Sequence, residues 1–333
     1  MSEKILTLSV ASYNVERCLC DALESVLQTP GRDLLQVIVV DDGSSDSTAA
    51  IGRAYEDRYP GTVQLISKEN GGYGSTINAS RQAAAGKYYK LLDADDTFET
   101  GNLEAYLQFL KESDADLVLS PCVRYYDSGR EETDRIPELA GTVPAEELFR
   151  SPDRRISMVN FAIRTDRIRE DFPEITEHCF FTDDEYTILC LAAAHTAACF
   201  PAPVYRYHLG VEGQSVSIAG RKKHFHDTYR ILQRLLPWYR DHRDSYSPAL
   251  RRGLEERLAD AAHFQIETYL LADDLQKAGG CIRQLETELK QGSEEAWRLL
   301  GSRSRLMKFL RIFRYHFLGF AAGRVRTYLS AGG

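Results

Sequence analysis

Three carboxylates stand close together directly after a short apolar segment of the chain. Residues 88–92 have the largely apolar and aromatic character of a buried strand in a parallel sheet, and Asp93, Asp95 and Asp96 follow them. Ligands of such sheets bind at the carboxyl ends of the strands. Crowded carboxylates repel one another unless a cation neutralises them, and their hard oxygen atoms suit Mg²⁺ or Mn²⁺ bound together with substrate phosphates. The alternative for so short a motif is a solvated acidic loop.

Two further polar segments follow predicted strands. Asp41 and Asp42 follow residues 34–40, and the glycine-rich segment 70–75 follows a strand at residues 63–66. An acid at a strand end can accept hydrogen bonds from a ribose hydroxyl or a base N–H, while a metal at neighbouring acids holds the diphosphate. The chain lacks both the Walker A spacing with its lysine and a GxGxxG after the first strand. The pattern therefore predicts a nucleotide site with metal on the phosphates, although the glycines alone favour a tight turn.

The elements that must position these residues alternate between strand and helix. Strands are predicted at 5–10, 34–40, 63–66 and 88–93, with helices at about 16–28, from a cap at Ser45 or Asp46 to about 59, and from 75 to about 85. Four such alternations predict an α/β fold with a doubly wound, mostly parallel sheet and right-handed crossovers.

The signals change along the rest of the chain. We predict a helix at 102–112, a strand at 116–120, a polar sheet edge and loop at 121–145, a strand at 155–163, a helix at 186–198 and a strand at 202–207. Beyond about residue 221 only helices are predicted, with weak breaks at Gly253, Gly279-Gly280 and Gly292. This change predicts a domain boundary near residue 220, between a catalytic α/β domain over residues 1–220 that carries the predicted nucleotide site and a helical region over 221–333.

Composition restricts the class of protein. The chain has 333 residues, of which 43% are hydrophobic and 27% charged, as in an ordinary globular protein. The net charge of −8 argues against a nucleic-acid-binding protein, because such proteins carry an excess of positive charge. The seven scattered cysteines include no CxxC pair, which favours a reduced, cytoplasmic location without metal–thiolate sites. We expect no signal peptide and no apolar segment long enough to span a bilayer.

Taken in order, the motifs of the first part of the chain resemble those of the inverting family 2 glycosyltransferases, which have the GT-A fold. The resemblance covers about the first 120 residues well and weakens by about residue 220. Each motif alone is weak, and the ordered set is specific. The matching segments are Val10-Ala11-Ser12-Tyr13-Asn14, Val39 to Asp46, Glu69-Asn70-Gly71-Gly72, Ser75 to Asn78, and Leu92-Asp93-Ala94-Asp95-Asp96.

This resemblance implies a role for each matching segment. Ala11, Tyr13 and Asp41 would hold the nucleoside, usually uridine. Asp93, Ala94 and Asp95 would form the DXD motif, in which Asp93 and Asp95 carry Mn²⁺ or Mg²⁺. The other residues expected in the donor site are Asn14, Asn70, Gly71, Asn78 and, from a glycine-bounded loop that could fold over the diphosphate, His208. For His208 the alternative is an exposed histidine at a strand end.

The family places its general base in a later Glu-Asp motif. Here Thr182-Asp183 occupies that place, which leaves the base open among Asp183, Asp184 and Glu185. We expect Asp183 to act, because backbone N–H groups at a helix N-terminus would favour its ionised form. Glu185 is the reserve candidate, and a capping role for Asp183 is the alternative.

The reaction implied is single-step transfer from a nucleotide sugar, usually a UDP-sugar, to a hydroxyl of a glycan or lipid-linked acceptor in cell-surface polymer synthesis. The Gln-x-x-Arg-Trp motif of processive synthases is missing, so we expect single-sugar addition. Two other functions remain open: a nucleotidyltransferase that makes sugar nucleotides, and a non-catalytic nucleotide-binding module. The nucleotidyltransferase would need a basic, glycine-rich loop after the first strand.

The end of the chain is basic and aromatic. No Asp or Glu follows Glu295, and apolar residues recur at helical spacing opposite most of the basic ones. Such a pattern predicts an interfacial helix on the inner face of the membrane, or a helix that packs its stripe on the catalytic domain, with equal weight. The stripe is Leu306, Phe309, Leu310, Phe313, Phe317 and Phe320; the basic residues are Arg298, Arg303, Arg305, Lys308, Arg311, Arg314, Arg324 and Arg326.

Overall fold

The computed structural model describes residues 3–150, 156–169, 171–209 and 217–330. The chain divides into two compact units, Met1–Val211 and Glu212–Gly333. The division lies a few residues before the boundary near 220 that the sequence suggests. Strands occupy the first unit, and the described part of the second unit is helical.

The first unit alternates strands and helices as the sequence predicts. Its strands are β1 Leu6–Ser12, β2 Leu35–Asp41, β3 Val63–Ser67, β4 Tyr88–Asp93, β5 Thr97–Phe98, β6 Leu117–Leu119, β7 Cys122–Tyr126, β8 Glu131–Thr133, β9 Val143–Pro144, β10 Phe161–Arg164, β11 Thr196–Cys199 and β12 Tyr205–Leu209. Its α-helices are α1 Leu19–Leu27, α2 Thr48–Arg58, α3 Tyr73–Ala83, α4 Thr100–Glu112 and α5 Thr182–Ala193.

An eight-stranded sheet of order β3-β2-β1-β4-β10-β6-β11-β9 forms the centre of this unit. The four strands β3, β2, β1 and β4 are parallel, and their apolar side chains are largely buried beneath the helices. The register places Ser12 opposite Asp41 and Ala11 opposite Asp93. The α/β fold is thus confirmed, and the predicted polar residues reach one edge of the sheet because parallel strands end together.

A second sheet of order β5-β12-β7-β8 was not predicted from the sequence. The expectation of a sheet edge and loop at 121–145 is confirmed for residues 131–133, which form the outer strand β8, whereas residues 122–126 form β7 inside the second sheet. β7 pairs in parallel with β12, whereas all of β8 is exposed. A strand with exposed side chains has no alternation of apolar and polar residues, so its sequence resembles a loop.

Three element boundaries also differ from the prediction. A 3₁₀ turn at Met158–Asn160 occupies part of the expected strand at 155–163, and β10 covers only its end. Helix α5 begins at Thr182 and ends at Ala193, so residues 196–198 of the expected helix belong to β11. The alanine-rich β11 pairs with β6, and this pairing overrides its weak strand propensity. The helix after β2 begins at Thr48, beyond the predicted caps Ser45 and Asp46.

The second unit packs seven helices over the described residues. They are α6 Ile218–Lys223, α7 Asp227–His242, α8 Pro248–Leu270, α9 Leu275–Gly292, α10 Glu294–Arg303, α11 Arg305–Ile312 and α12 Leu318–Ser330. Gly253 and Gly279-Gly280 lie inside helices, contrary to expectation, whereas Gly292 ends α9. A Cβ at Gly279 would lie 2.6 Å from Leu318 Cδ1, so close helix packing explains this glycine. None of the helices seen here has the length and apolar character needed to cross a membrane.

Candidate active site

Asp41 ends β2 at the sheet edge and is only 4% exposed. Its Oδ1 accepts a hydrogen bond from the backbone N–H of Ser44 at 3.1 Å, and its Oδ2 has no partner among the described residues. Ser12 on β1 lies opposite Asp41 in the register, between Ala11 and Tyr13, and Tyr13 is 53% exposed. A buried carboxylate oxygen beside an exposed aromatic ring suits a base that stacks on the ring and donates an N–H.

Asn14 shapes the turn next to this carboxylate. It adopts a left-handed conformation with φ 54°, which asparagine tolerates better than most residues. Its Oδ1 accepts hydrogen bonds from the backbone N–H and hydroxyl of Ser45, and its own N–H donates to Ser44 Oγ at 3.0 Å. Asn14 therefore positions residues 44–45, and the backbone N–H of Ser44 holds the Asp41 carboxylate.

Asp42 differs from Asp41 because both of its carboxylate oxygens accept hydrogen bonds from within the fold. It accepts hydrogen bonds from the backbone N–H groups of Gly71 and Gly72 and from Lys68 Nζ, all within 2.9 Å. The side chain of Asn70 donates to the backbone carbonyl of Asp42 at 3.0 Å. Asn70 and Gly71, predicted as donor-binding residues, thus connect the glycine-rich turn to the end of β2.

Carboxylate oxygens of Asp93, Asp95 and Asp96 lie within 4.8 Å of one another at the end of β4. Asp95 is exposed, Asp93 is partly buried, Asp96 is buried, and Ala94 between them is 3% exposed. Burial, and then the charge of Asp95, raise the pKa of Asp93 to about 7. Burial, and then the charge of Asp93, raise the pKa of Asp96 to about 8. Three crowded carboxylates without an ion-pair partner among the described residues form a suitable site for a divalent cation that prefers oxygen ligands. Asp93 and Asp95 are the two that solvent reaches, so they are the expected ligands.

The second sheet supports this cluster through β12. Tyr205 donates its hydroxyl proton to Asp96 Oδ2 at 2.7 Å, and the backbone N–H of His208 donates to Asp96 Oδ1 at 2.8 Å. From α3, the Tyr73 hydroxyl donates to Asp93 Oδ1 at 2.6 Å. Sequence reasoning missed both tyrosines, because nothing in their local pattern indicates which carboxylate they reach.

The His208 side chain lies at the end of β12 on the second sheet. Its Nε2 is 2.7 Å from Asp127 Oδ1, and its ring stacks on Tyr125 with centroids 4.6 Å apart. The residues that follow it, 210–216, lie outside the described residues, so the prediction of a loop over the diphosphate stays a prediction.

The predicted base cluster occupies the first turn of α5. The residue Asp183 is exposed overall, while the protein groups packed around its carboxyl group desolvate that group. This desolvation, followed by the charges of Asp184 and Asp93, raises the pKa of Asp183 to about 7. Backbone hydrogen bonds at the start of α5 lower that pKa, which is the direction expected from a helix N-terminus, while burial and the two neighbouring carboxylates raise it. The contribution of Asp93 to this shift indicates that the carboxyl groups of Asp183 and Asp93 are close enough to interact electrostatically.

Glu185 has a different environment from Asp183. It is 1% exposed, and its two carboxylate oxygens accept hydrogen bonds from the backbone N–H and the hydroxyl of Thr176, each at 2.9 Å. Asn78 binds the adjoining residue, accepting from the Ile175 N–H and donating to its carbonyl, each at 2.9 Å. Glu185 and Asn78 therefore anchor the segment that leads to Asp183.

Comparison with known proteins places residues 7–187 within a family model described as Glycosyl transferase family 2. The minor teichoic acid biosynthesis protein GgaB of Bacillus subtilis is 36% identical over 121 residues, which are 35% of this chain and 13% of GgaB. The uncharacterized glycosyltransferase MG060 homolog of Mycoplasma pneumoniae is 26% identical over 235 residues, which cover 69% of this chain and 77% of that protein.

Two solved structures share the fold at low sequence identity. Residues 1–349 of Staphylococcus aureus TarS, in complex with UDP-GlcNAc, match with a TM-score of 0.55 and 16% identity over 90% of this chain and 91% of theirs. The mannosyltransferase PcManGT of Pyrobaculum calidifontis, in complex with GDP-Man and Mn²⁺, has a TM-score of 0.52 and 15% identity over 92% of this chain and 88% of its own. At 15–16% sequence identity, these similarities show a shared fold.

Proposed function

This chain belongs to glycosyl transferase family 2, and from that membership we propose that it is a metal-dependent, inverting glycosyltransferase. It moves one sugar from a nucleotide sugar, with UDP-sugars as the first candidates, to a hydroxyl of a glycan or lipid-linked acceptor. The observation that carries the proposal is that two groups meet at one sheet edge: the Asp41 oxygen without a partner among the described residues, and the cluster at Asp93 and Asp95. Asp183, in the first turn of α5, interacts electrostatically with that cluster.

The donor site would use the ends of β2 and β4, which flank β1 on its two sides in the sheet. Asp41 accepts an N–H of the base, and Tyr13 offers its exposed ring beside it. The diphosphate then extends toward Asp93 and Asp95, which would hold the divalent cation. The bound cation supplies charge neutralisation for the leaving diphosphate. UDP-GlcNAc and the GDP-Man–Mn²⁺ pair in the two structural relatives support a nucleotide-sugar donor of this kind.

Asp183 would accept the proton of the attacking hydroxyl group. The acceptor oxygen forms a bond to the anomeric carbon while the bond from that carbon to the diphosphate oxygen breaks, and the electron pair leaves with the diphosphate. Because the attack comes from the opposite face, an α-linked donor yields a β-linked product. A pKa of about 7 suits a general base that works near neutral pH.

The acceptor would be part of a cell-surface polymer or its lipid-linked precursor, made on the cytoplasmic side of the membrane. The teichoic acid role named for GgaB supports this class, although the match covers only 13% of that protein. The absence of a Gln-x-x-Arg-Trp motif in the sequence favours addition of a single sugar.

A donor screen on the full chain tests the proposal. We expect UDP-sugars, more than GDP-sugars, to raise the melting temperature in the presence of Mn²⁺, because ligands that bind the native state stabilise it. The best donor should then be hydrolysed slowly, with release of UDP measured by chromatography. Pyrophosphate release from a nucleoside triphosphate and a sugar 1-phosphate would instead identify a nucleotidyltransferase. Binding without hydrolysis or transfer, across a panel of acceptors, would identify a non-catalytic module.

A further inference from the structure

Exposed apolar side chains are concentrated at the end of the helical unit. Of the seven exposed large apolar residues in the described part of the chain, five lie between residues 312 and 328. Phe317 and Phe320 are 52% and 62% exposed, and Ile312 is 73% exposed. Single exposed apolar residues are common on protein surfaces, but a concentration of them indicates an interaction site.

The aromatic rings form one continuous patch across two helices. The expected single terminal helix is interrupted between α11 and α12, where Arg314 and Tyr315 have φ values of 47° and 63°. This turn brings Phe320 of α12 within 5.4 Å of Phe309 of α11, measured between ring centroids. We define the aromatic patch as Phe309, Ile312, Phe313, Phe317 and Phe320. The other ring contacts within it are Phe309–Phe313 at 4.8 Å, Phe313–Phe317 at 5.1 Å and Phe309–Phe317 at 6.3 Å.

Other residues already fill the inward face of these helices. The buried side chains are Met307, Leu310, Ala321, Ala322 and Val325. Of the stripe that the sequence predicts, only Leu310 is buried, while Phe313, Phe317 and Phe320 face solvent. The helices are thus packed within their unit without the aromatic patch, which remains available to a partner.

The two helices that carry the patch, and the turn between them, also carry positive charge without local compensation. Arg305, Lys308, Arg314 and Arg324 are exposed and form no ion pair within the described residues, and no acid follows Glu295 in the sequence. By contrast, Arg311 is turned inward to Glu286 and to the carbonyl of Trp297. This local excess of cations stands out in a chain whose net charge is −8.

We propose that residues 305–328 dock the protein on an anionic membrane surface. The aromatic patch inserts into the headgroup region, and the four unpaired cations contact lipid phosphates, as in interfacial helices. The charge decides between partners: two copies of this chain facing each other here would bring like charges together, whereas an anionic lipid surface is complementary. The inference concerns the helical unit and does not depend on the proposed transfer reaction.

Vesicle sedimentation with the full chain tests the docking. We expect the protein to sediment with vesicles of phosphatidylcholine and phosphatidylglycerol at low salt, and to remain in solution with phosphatidylcholine alone. Added salt should weaken the binding because it screens the lipid charges. Failure to sediment with the anionic vesicles at low salt would overturn the proposal.

Three double variants locate the docking surface. Phe317→Ser with Phe320→Ser, and Lys308→Ser with Arg314→Ser, should each reduce the vesicle partition coefficient by roughly tenfold or more. The matched control, Lys277→Ser with Arg298→Ser, removes the same charge from exposed sites on α9 and α10 and should bind like the unchanged chain. An equal loss in the control would show unspecific attraction. Unchanged vesicle binding of the phenylalanine variant, together with loss of a dimer in analytical ultracentrifugation, would assign the patch to a second copy.

Discussion

Asp183 and Glu185 are two residues apart in the first turn of α5, yet their carboxylates have different surroundings. Glu185 is buried and hydrogen-bonded to Thr176, whereas Asp183 is an exposed residue whose carboxyl group interacts electrostatically with Asp93. A carboxylate whose oxygens already accept internal hydrogen bonds is a poor acceptor for a substrate proton. This difference favours Asp183 as the base and gives Glu185 a positioning role.

We predict that Asp183→Asn retains donor and metal affinity but loses transfer by roughly 10²–10⁴-fold, the usual contribution of a general base. Calorimetric titration with the donor and a turnover assay measure the two effects. Glu185→Gln serves as the comparison, and we expect it to lower the melting temperature, because the amide nitrogen can no longer accept one of the two hydrogen bonds from Thr176. Near-normal turnover of Asp183→Asn beside an inactive but folded Glu185→Gln would move the base to Glu185.

The metal prediction rests on Asp95, the exposed member of the acidic cluster. Asp95→Asn should leave the melting temperature nearly unchanged and should abolish the Mn²⁺-dependent part of donor binding, because a neutral amide is a weak ligand for a hard cation. Isothermal titration with Mn²⁺ and a nucleotide sugar measures this loss. Asp184→Asn, an exposed acid outside the cluster, is the matched control. Full transfer activity in excess EDTA would contradict the metal requirement.

At the level of elements, helix α3 positions the segment that precedes the proposed base. Gly74 in the first turn of α3 lies against Thr176 and Ile175, and a Cβ there would overlap the carbonyl oxygen of Thr176. Asn78 on the next turn of α3 binds the same segment. The contact between α3 and residues 175–176 therefore sets where α5 begins, and with it the position of Asp183.

Gly74→Ala should accordingly destabilise the protein by about 1–3 kcal/mol, the usual range for overpacking, and reduce transfer more than donor binding. Chemical denaturation and steady-state kinetics measure the two. Gly101→Ala in α4 is the control, because a Cβ there meets nothing within 4 Å and alanine is the better helix former. If both variants behave alike, the contact between α3 and the 175–176 segment does not position the base.

At the scale of the whole molecule, the first unit buries a lysine beneath its acidic edge. Lys90 on β4 is fully buried, and its Nζ donates to the carbonyls of Val159 and Phe161 at 2.6 Å and 3.1 Å. Burial lowers the pKa of Lys90 to about 7. This amine connects the parallel half of the large sheet to the 3₁₀ turn and β10, at a position where the sequence predicts an ordinary strand residue.

The lowered pKa makes stability depend on pH in a defined direction. Between pH 7 and about 10 the unfolded Lys90 binds a proton that the folded chain releases, so its contribution to the free energy of unfolding rises with pH, by at most about 1.4 kcal/mol per pH unit. Below the folded pKa both states are charged and the burial cost is greatest. We therefore predict that the melting temperature of Lys90→Met, relative to the unchanged chain, is highest near pH 7 and falls toward pH 10. A difference that stays constant over this range would show that Lys90 keeps its ordinary pKa.

Local sequence patterns alone determined the α/β fold and the edge at which the polar residues meet. Apolar strands that alternate with amphipathic helices must form a parallel sheet, and parallel strands end on the same side. For that reason the sequence alone predicts that Ala11, Asp41 and Asp93 lie close together. The pairing of β1 with β2 and with β4 confirms that their strand ends are adjacent.

Only the tertiary structure decided which groups each carboxylate contacts. Asp41 and Asp42 are adjacent in sequence. Asp41 keeps one carboxylate oxygen without a partner among the described residues, whereas both oxygens of Asp42 accept hydrogen bonds from Lys68 and from the backbone N–H groups of Gly71 and Gly72. The unpredicted second sheet likewise holds Asp96 through Tyr205. Which face of the terminal helices is buried was also open until the packing showed it. These contacts join residues that lie far apart in the chain. The periodicity of apolar residues along the chain therefore could not predict them.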